Sequence, residues 1–202
     1  LDCLASLRAM RYPVDRLLLI VVDNGSVDGT AEAIRAHCPE VIVMENGENL
    51  GFAEGNNVGI RHAMGLGADF VMLLNNDTVV DSGMIVTLVA TAEANQAVGI
   101  VGPKMLYFDN PDVIWCAGNS VDWDRGGSIR LQADQQDTGA DEGPLEVDYV
   151  TGCGICLRRE VIEQVGMLDP RFFIYYEESD WCLRAHAAGW QVLYVPRARL
   201  WH

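Results

Sequence analysis

The chain has 202 residues, half of them apolar and 21% charged, and its 29 acidic side chains against 14 Lys and Arg leave a formal charge of -15. That length suits one large domain with a core that needs no staples. The charge argues against electrostatic binding of nucleic acid, which needs a basic face, and against a polybasic membrane anchor. Anionic ligands stay open, because a few donors and one cation hold a phosphate locally. No apolar run approaches the ~18–20 residues that cross a bilayer. Asp2 and Arg8 interrupt the N-terminus, which has no signal-peptide pattern. There is no initiator Met, so the chain is expected to be a fragment. The six cysteines, Cys3, Cys38, Cys116, Cys153, Cys156 and Cys182, are scattered, which suits a reducing cytoplasm. Cys153 and Cys156 make one CxxC pair without a second ligand pair, and read as buried small hydrophobes.

The first half alternates strands and helices. Residues 17–22 form an aliphatic run expected to be a strand buried on both faces, and Asp23-Asn24-Gly25-Ser26 breaks it. A helix is expected from about residue 28 to His37, then a strand over 41–44 and a Gly- and Asn-rich loop over 45–51. A helix over 53–64, a strand over 70–74 ended by Asn75-Asn76-Asp77, a helix over 82–94 and a short strand over 98–101 follow. This alternation implies parallel pairing through right-handed crossovers. After Pro103 the composition shifts. Residues 107–126 show no clear period, and the acidic stretch 134–146 reads as a mobile surface loop. A strand-like stretch over 147–158, a short helix over 159–165, a helix over 177–188 and a final strand over 191–195 closed by Pro196 complete the pattern. One domain, 1–202, is expected, with a nucleotide-binding half 1–103 and an acceptor-binding half 104–202.

Two polar clusters follow buried strands directly: Asp23-Asn24 and Asn76-Asp77. In open α/β sheets, ligands bind where loops leave the carboxyl ends of strands. Asp23 can accept hydrogen bonds from a base or ribose, and Asp77 can hold a cation that bridges phosphates. Singly, each is more often a turn residue or helix cap; together, on matched strands expected to share one sheet and one crevice, they point to a ligand site. Asn49 to Gly59 is rich in Gly and Asn ahead of and inside a helix, and its glycines cost about 1 kcal/mol each relative to Ala, so a reason for them is expected. Glu177, Glu178 and Asp180 crowd one helix start, where the dipole favours negative charge and mutual repulsion raises at least one carboxyl's pKa. One of them could act as a general base. Glu177 and Glu178 point about 100° apart, so one faces a substrate. His202 by chemistry alone is a terminal residue with no assigned role. His37, His62 and His186 read as surface or packing residues on helices.

These clusters, in this order, resemble a family 2 glycosyltransferase of the GT-A fold, rhamnosyltransferase-like. The matching stretches are VDNGSVDGT (22–30), NLGFAEGNNVGI (49–60), LLNNDTVV (73–80), TGCGICLRREVIEQVGMLDPRFFIYYEESDWCLRAHAAGW (151–190) and VPRARLWH (195–202). The resemblance implies a nucleotide-diphospho-sugar transferase fold with a mostly parallel central sheet flanked by helices. It implies that Asp23 and Asn24 contact the nucleotide, and that Asn49, Gly51, Asn57, Asn75 and Asn76 shape the nucleotide-sugar pocket. The family's Asp-x-Asp motif falls on Asn75-Asn76-Asp77, so Asp77 alone carries charge to a Mg²⁺ or Mn²⁺ ion, with His202 completing the metal site. The base motif reads Glu177-Glu178, which maps the base to Glu178, an acid one carbon longer than usual. Thr151, Gly152 and Trp181 fall on the acceptor side. Relatives begin with a buried strand before the helix that here covers residues 1–10, so that first strand is expected to be missing.

The function so implied is inverting transfer of a sugar from a dTDP-rhamnose- or UDP-sugar-type donor to a hydroxyl of a polysaccharide or lipid-linked glycan. It would occur in the cytoplasm, at the inner face of the membrane, with peripheral association through segments outside this chain and no nucleic-acid partner. Two rivals are a sugar-nucleotide-forming nucleotidyltransferase, which would need a basic Gly-rich first loop that is not visible, and a degenerate sugar-nucleotide-binding module. The lack of GxGxxG after any strand argues against an NAD-dependent dehydrogenase.

Overall fold

A computed structural model describes residues 1–140 and 143–202. The elements are α1 (Asp2–Arg8), a 3-10 turn (Val14–Arg16), β1 (Ile20–Asp23), α2 (Thr30–His37), β2 (Ile42–Glu45), α3 (Gly51–Gly65), β3 (Phe70–Leu74), β4 (Val79–Val80), α4 (Met84–Glu93) and β5 (Val98–Leu106). They continue with β6 (Ile114–Cys116), β7 (Asn119–Asp122), β8 (Gly127–Arg130), β9 (Leu145–Glu146), β10 (Gly154–Arg158), α5 (Arg159–Val165), α6 (Glu177–Ala187) and β11 (Gln191–Trp201).

The central sheet runs β3-β10-β5-β11-β4, with β6 added to β5 and β9 to β11. It is mixed. β5 and β11 pair in parallel, whereas β10 is antiparallel to both β3 and β5. β1 and β2 form a separate parallel pair, and α3 packs on both β1 and β3. The parallel pairing expected from the alternating first half is therefore present in β1–β2 and β5–β11. The antiparallel pairings of the central sheet are those of β10 with β3 and β5, of β4 and β9 with β11, and of β6 with β5; nothing in the alternation of elements foretells β10 between β3 and β5.

β5 is buried at every position, as a continuous apolar run at the centre of a covered sheet should be. Alternation divides the sheet's side chains between two cores. Ile100, Ile155, Leu157 and Val192 join Ile60, Val161 and Trp181 from α3, α5 and α6. Val98, Val101, Cys156 and Leu200 join Met84 and Leu88 from α4 on the other face. The two glycines of α3 have a spatial reason. A Cβ on Gly55 would lie 3.1 Å from the Asn24 amide, and one on Gly59 would lie 3.1 Å from Val22, so α3 crosses β1 closely.

Three expectations are corrected. The strand over 98–101 is the start of the longer β5, which runs through the composition shift at Pro103. The last strand does not end at Pro196; it continues to Trp201 with a register shift between Val195 and Arg199. Proline has no N–H to give the ladder, so the strand bulges past it and resumes pairing. The stretch 134–146 is anchored rather than loose where it is described. Buried Lys104 donates to Asp137 at 2.7 Å, Tyr107 donates to Asp134 at 2.6 Å, and β9 pairs with β11. Asp141 and Glu142 lie outside the described residues. All six cysteines are free thiols, and burial pushes Cys153 and Cys156 up to about 12, as suits small core hydrophobes.

Leu157 is fully buried in the middle of β10. Leu157→Ala is expected to cost about 2–5 kcal/mol, read as a lower urea midpoint with an unchanged slope.

Candidate active site

The ends of β3, β10 and β11 meet. β3 delivers Asn75, whose N–H donates to the Cys153 carbonyl at 3.2 Å, because Gly154 at the start of β10 pairs with Leu74 at the end of β3. β11 delivers His202. Its backbone N–H donates to Leu106 O and its carbonyl accepts from Phe108 N–H, both at 2.9 Å. The imidazole lies against Trp115, with ring centroids 4.9 Å apart. Its Nε2 sits 3.4 Å from Asp77 Oδ1 and 3.4 Å from the Asn75 side-chain amide. Asp77, Asn75 and His202 are thus one cluster, with Asn76 exposed beside it. An imidazole nitrogen, a carboxylate oxygen and an amide make an N/O donor set compatible with a hard divalent cation. Among the described residues no three or more His, Cys, Asp or Glu side chains are placed so that together they could hold a metal ion. Asp77 and His202 would therefore supply only part of a coordination sphere.

Glu177 and Glu178 open α6. An Oε2 atom of each is buried and has no hydrogen-bond partner in the protein. Burial pushes the Glu178 pKa above the usual carboxylate range, against backbone hydrogen bonds from Glu178, Gly152 and Ser179 that pull it down. Burial raises Glu177 too, and the neighbouring Glu178 charge adds to that. Gly152 is in contact with this pair's surroundings: a Cβ there would lie 3.2 Å from the Phe52 ring and 3.7 Å from Glu178 Cβ. The Cys153 thiol is pushed to about 12 by burial first, with the charges of Cys116, Asp77 and Glu178 adding to it. Asp77 and Glu178 therefore act on the same buried sulfur. Thr151, whose hydroxyl accepts from Cys153 N–H at 3.4 Å, completes the turn between them.

Asn24 organises the loop at the end of β1. Its amide donates to Asn49 Oδ1 at 2.9 Å and to Gly51 O at 3.0 Å, and its Oδ1 accepts from Asn46 Nδ2 at 3.0 Å and Leu50 N–H at 3.1 Å. Asn49 also accepts the Gly51 N–H at 2.9 Å. Gly51 has φ +80°, and a Cβ there would strike Phe173 at 2.6 Å, so glycine is required twice over. Asp23 is buried at the strand end and accepts the Ser26 N–H at 3.3 Å. A chain of contacts runs from Asn24 through Gly51 and Phe173 to Phe52, Gly152 and Glu178.

Three sequence-expected site residues do other work. Asn57, expected in the nucleotide-sugar pocket, is 2% exposed; its amide donates to Leu168 O at 2.8 Å and Glu54 at 3.2 Å and accepts the Leu168 N–H. It fastens α3 to the segment after α5, with both N–H donors spent. Trp181, expected on the acceptor side, is 0% exposed and donates to Gly166 O at 2.8 Å, which makes it core. Asp180, expected among the acids of the site, is bound to Arg184 at 2.7 Å, which in turn donates to Met167 O at 2.9 Å. The sequence had marked neither Phe52, Trp115 nor Tyr149. Tyr149 is bonded to the Ser128 and Ser179 hydroxyls beside Glu178. Phe52 lies inside the 49–60 stretch without being singled out there, and no motif flags Trp115 or Tyr149; only the fold brings them to the site.

Asn24→Ala should free the loop without unfolding the sheet, seen as faster amide exchange at Leu50 and Gly51 with a small change in melting point. Because Glu177 and Glu178 carry raised folded-state pKa values, the folded chain holds more protons than the unfolded one just above the ordinary carboxylate range. Their contribution to stability should therefore fall as pH rises through that window. Glu177→Gln with Glu178→Gln should flatten this decline in denaturant titrations at a series of pH values.

Comparison with known proteins shows the family and the fold. The model of glycosyl transferase family 2 matches residues 1–166. An N-acetylglucosaminyl-diphospho-decaprenol L-rhamnosyltransferase of Mycobacterium tuberculosis (strain CDC 1551 / Oshkosh) is 31% identical over 222 residues, covering 98% of this chain and 70% of the relative. The dTDP-rhamnosyl transferase RfbF of Shigella flexneri is 26% identical, covering 91% of this chain and 59% of the relative. Among solved structures, the mannosyltransferase PcManGT from Pyrobaculum calidifontis, in complex with GDP-Man and Mn²⁺, superposes with a TM-score of 0.72 at 20% identity, covering 100% of this chain and 52% of that one. The fold is of the GT-A type, and the chain belongs to glycosyl transferase family 2.

Proposed function

We propose that this chain carries out inverting transfer of a sugar from a nucleotide-diphosphate donor to a hydroxyl of a glycan, with rhamnose on dTDP or a UDP-linked sugar as the donor and a polysaccharide or lipid-linked glycan as the acceptor. The observation that carries the reading is Glu178. It is a carboxylate with a buried, unpartnered oxygen, held beside the Thr151-Gly152 turn at the strand ends that also bear Asp77 and His202. The names of the two relatives support a rhamnosyl donor and an acceptor carried on a polyprenyl diphosphate.

In this reading Glu178 takes the proton of the acceptor hydroxyl as its oxygen bonds to the anomeric carbon. The bond from that carbon to the donor's diphosphate oxygen breaks, and the nucleoside diphosphate leaves with the electron pair. One base and no protein nucleophile are needed, and the raised pKa of Glu178 brings it closer to working pH. A Mg²⁺ or Mn²⁺ ion on Asp77 and His202 would neutralise charge growing on the leaving diphosphate. Asp23 faces the nucleotide, the Asn24-braced loop with Asn49 and Gly51 shapes its pocket, and Asn75 and Asn76 meet the donor. Thr151 and Gly152 guide the acceptor to Glu178. The reaction belongs in the cytoplasm, where a lipid-linked acceptor is presented at the inner face of the membrane. Among the described residues no helix is long and apolar enough to cross that membrane.

The reading is tested by a thermal-shift screen against nucleoside diphosphates with and without Mn²⁺. A metal-dependent rise in melting point is expected, and no rise with any nucleotide would refute it. Glu178→Gln should leave donor binding by calorimetry intact and lower kcat by about 10²–10⁴. His202→Ala should raise the Mn²⁺ concentration needed for the nucleotide-induced shift.

A further inference from the structure

The β7–β8 hairpin touches both ends of the candidate site, and the proposed reaction gives it no part. Its backbone is fixed. Asn119 pairs with Arg130 and donates to Tyr149 O at 2.9 Å, and just after β8 the Leu131 N–H donates to Gly118 O at 2.9 Å. Ser128 and Arg130 are two residues apart on β8, so they project from one face. Ser128 is bonded to the Tyr149 hydroxyl, which also meets Ser179 beside Glu178. Arg130 stands over the Trp115 ring, its guanidinium carbon 5.5 Å from the ring centroid. Trp115 in turn lies against His202, whose Nε2 is 3.4 Å from Asp77. One face of β8 therefore reaches the acids of α6 at one point and the Asp77–His202 cluster at the next. The charges of Arg130 and Glu178 also act on one buried atom. Burial pushes the Cys116 thiol up to about 11; Arg130 opposes that rise and Glu178 adds to it.

We propose that Arg130, held on Trp115, binds the sugar-bearing phosphate of the donor beside the Asp77–His202 cluster and takes up charge there as the nucleoside diphosphate leaves. The inference rests on the reading of the chain as a glycosyltransferase and deepens it by adding a donor-binding residue. Arg130 is exposed, and among the described residues no carboxylate stands within ion-pair distance of it. Other cations are spent: Lys104 and Arg199 on Asp137, Arg171 on Asp169, and Arg184 on Asp180. The polar neighbour of Arg130 is the Tyr107 hydroxyl, itself donated to Asp134. A guanidinium over an aromatic face keeps its N–H donors free, because they lie along its edge. That edge forms a fork that matches two phosphate oxygens. Position selects the donor rather than the acceptor. Trp115 joins Arg130 to His202, where the diphosphate is read to lie, whereas the acceptor enters at Thr151 and Gly152. Charge selects it too. Asp77 and His202 supply only part of a coordination sphere and Glu178 stands on the same rim, so a diphosphate there gains from a second positive group.

The test titrates the protein by calorimetry, with Mn²⁺ present, against dTDP, UDP and the two matching monophosphates. The parent chain should prefer the diphosphate of whichever nucleotide it binds. Arg130→Gln is expected to weaken diphosphate binding roughly 10- to 100-fold, the range of a charge-assisted contact, and monophosphate binding far less. Diphosphate binding should also depend less steeply on ionic strength in that variant. Arg130→Lys keeps the charge without the fork and should fall between the two. Arg125→Gln removes the same charge from the turn of the same hairpin and should bind like the parent. A preference for diphosphate that survives in Arg130→Gln overturns the proposal, even where both affinities drop together because the variant is less stable. An equal loss in Arg125→Gln overturns it as an effect of bulk charge. Intact diphosphate affinity with a raised KM for the acceptor assigns Arg130 to the acceptor and overturns it as well. If the parent chain binds none of these nucleotides, the wider reading falls; if it binds and its preference does not depend on Arg130, only this inference falls.

Discussion

Strand β10 lies between β3 and β5, antiparallel to both, and the meeting of Asn75 with the 151–153 turn follows from that insertion. Because Gly154 pairs with Leu74, the chain arrives at β10 at the point where β3 departs, which sets the 151–153 turn beside Asn75. At its other end Arg158 donates to Val98 O at 2.8 Å and also to Ala92 O, locking β10 to β5 and α4. β5 in turn carries β11 in parallel, so the end of β11 brings His202 to Leu106. Polar loops thus converge on one rim of a sheet whose interior is apolar on both faces. Backbone hydrogen bonds, rather than contacts among the polar side chains, fix that rim.

Two opposing effects act on the acids of α6. The start of a helix favours negative charge through its free N–H groups and dipole. Burial favours the neutral form, and for both Glu177 and Glu178 burial is the larger. The two acids differ in surroundings. Glu178 receives backbone hydrogen bonds from Gly152 and Ser179, whereas Glu177 feels Glu178 as a like charge. Adjacent carboxyls of the same type are thereby given unequal environments, which is how one sequence can dedicate one to chemistry and one to structure.

Much of the first half was legible because each strand is an aliphatic run ended by Asp, Asn or Gly. The strand over 70–74 and the helix over 159–165 coincide with β3 and α5. The second half was less so. β6, β7 and β8 are three or four residues long and bounded by turns, and the side chains of β7 and β8 do not alternate cleanly. Site residues were recognised by type and by resemblance, and both are blind to how a side chain's hydrogen bonds are spent. Asn57 and Asn24 look alike in the string, yet one is sealed under Leu168 and the other braces a surface loop. Asp180 and Glu178 differ mainly in that an arginine stands one turn after Asp180.

The thiols have a consequence of their own. Five of the six cysteines are buried, whereas Cys3 is partly exposed, with its sulfur 3.7 Å from both the Asn75 carbonyl and the Thr78 hydroxyl. Burial raises the Cys3 pKa, so an alkylating label at alkaline pH is expected to reach this sulfur, which touches the segment bearing Asp77, ahead of the five buried ones. The molecule carries a native attachment point for a spectroscopic tag next to its rim, with no engineered cysteine required.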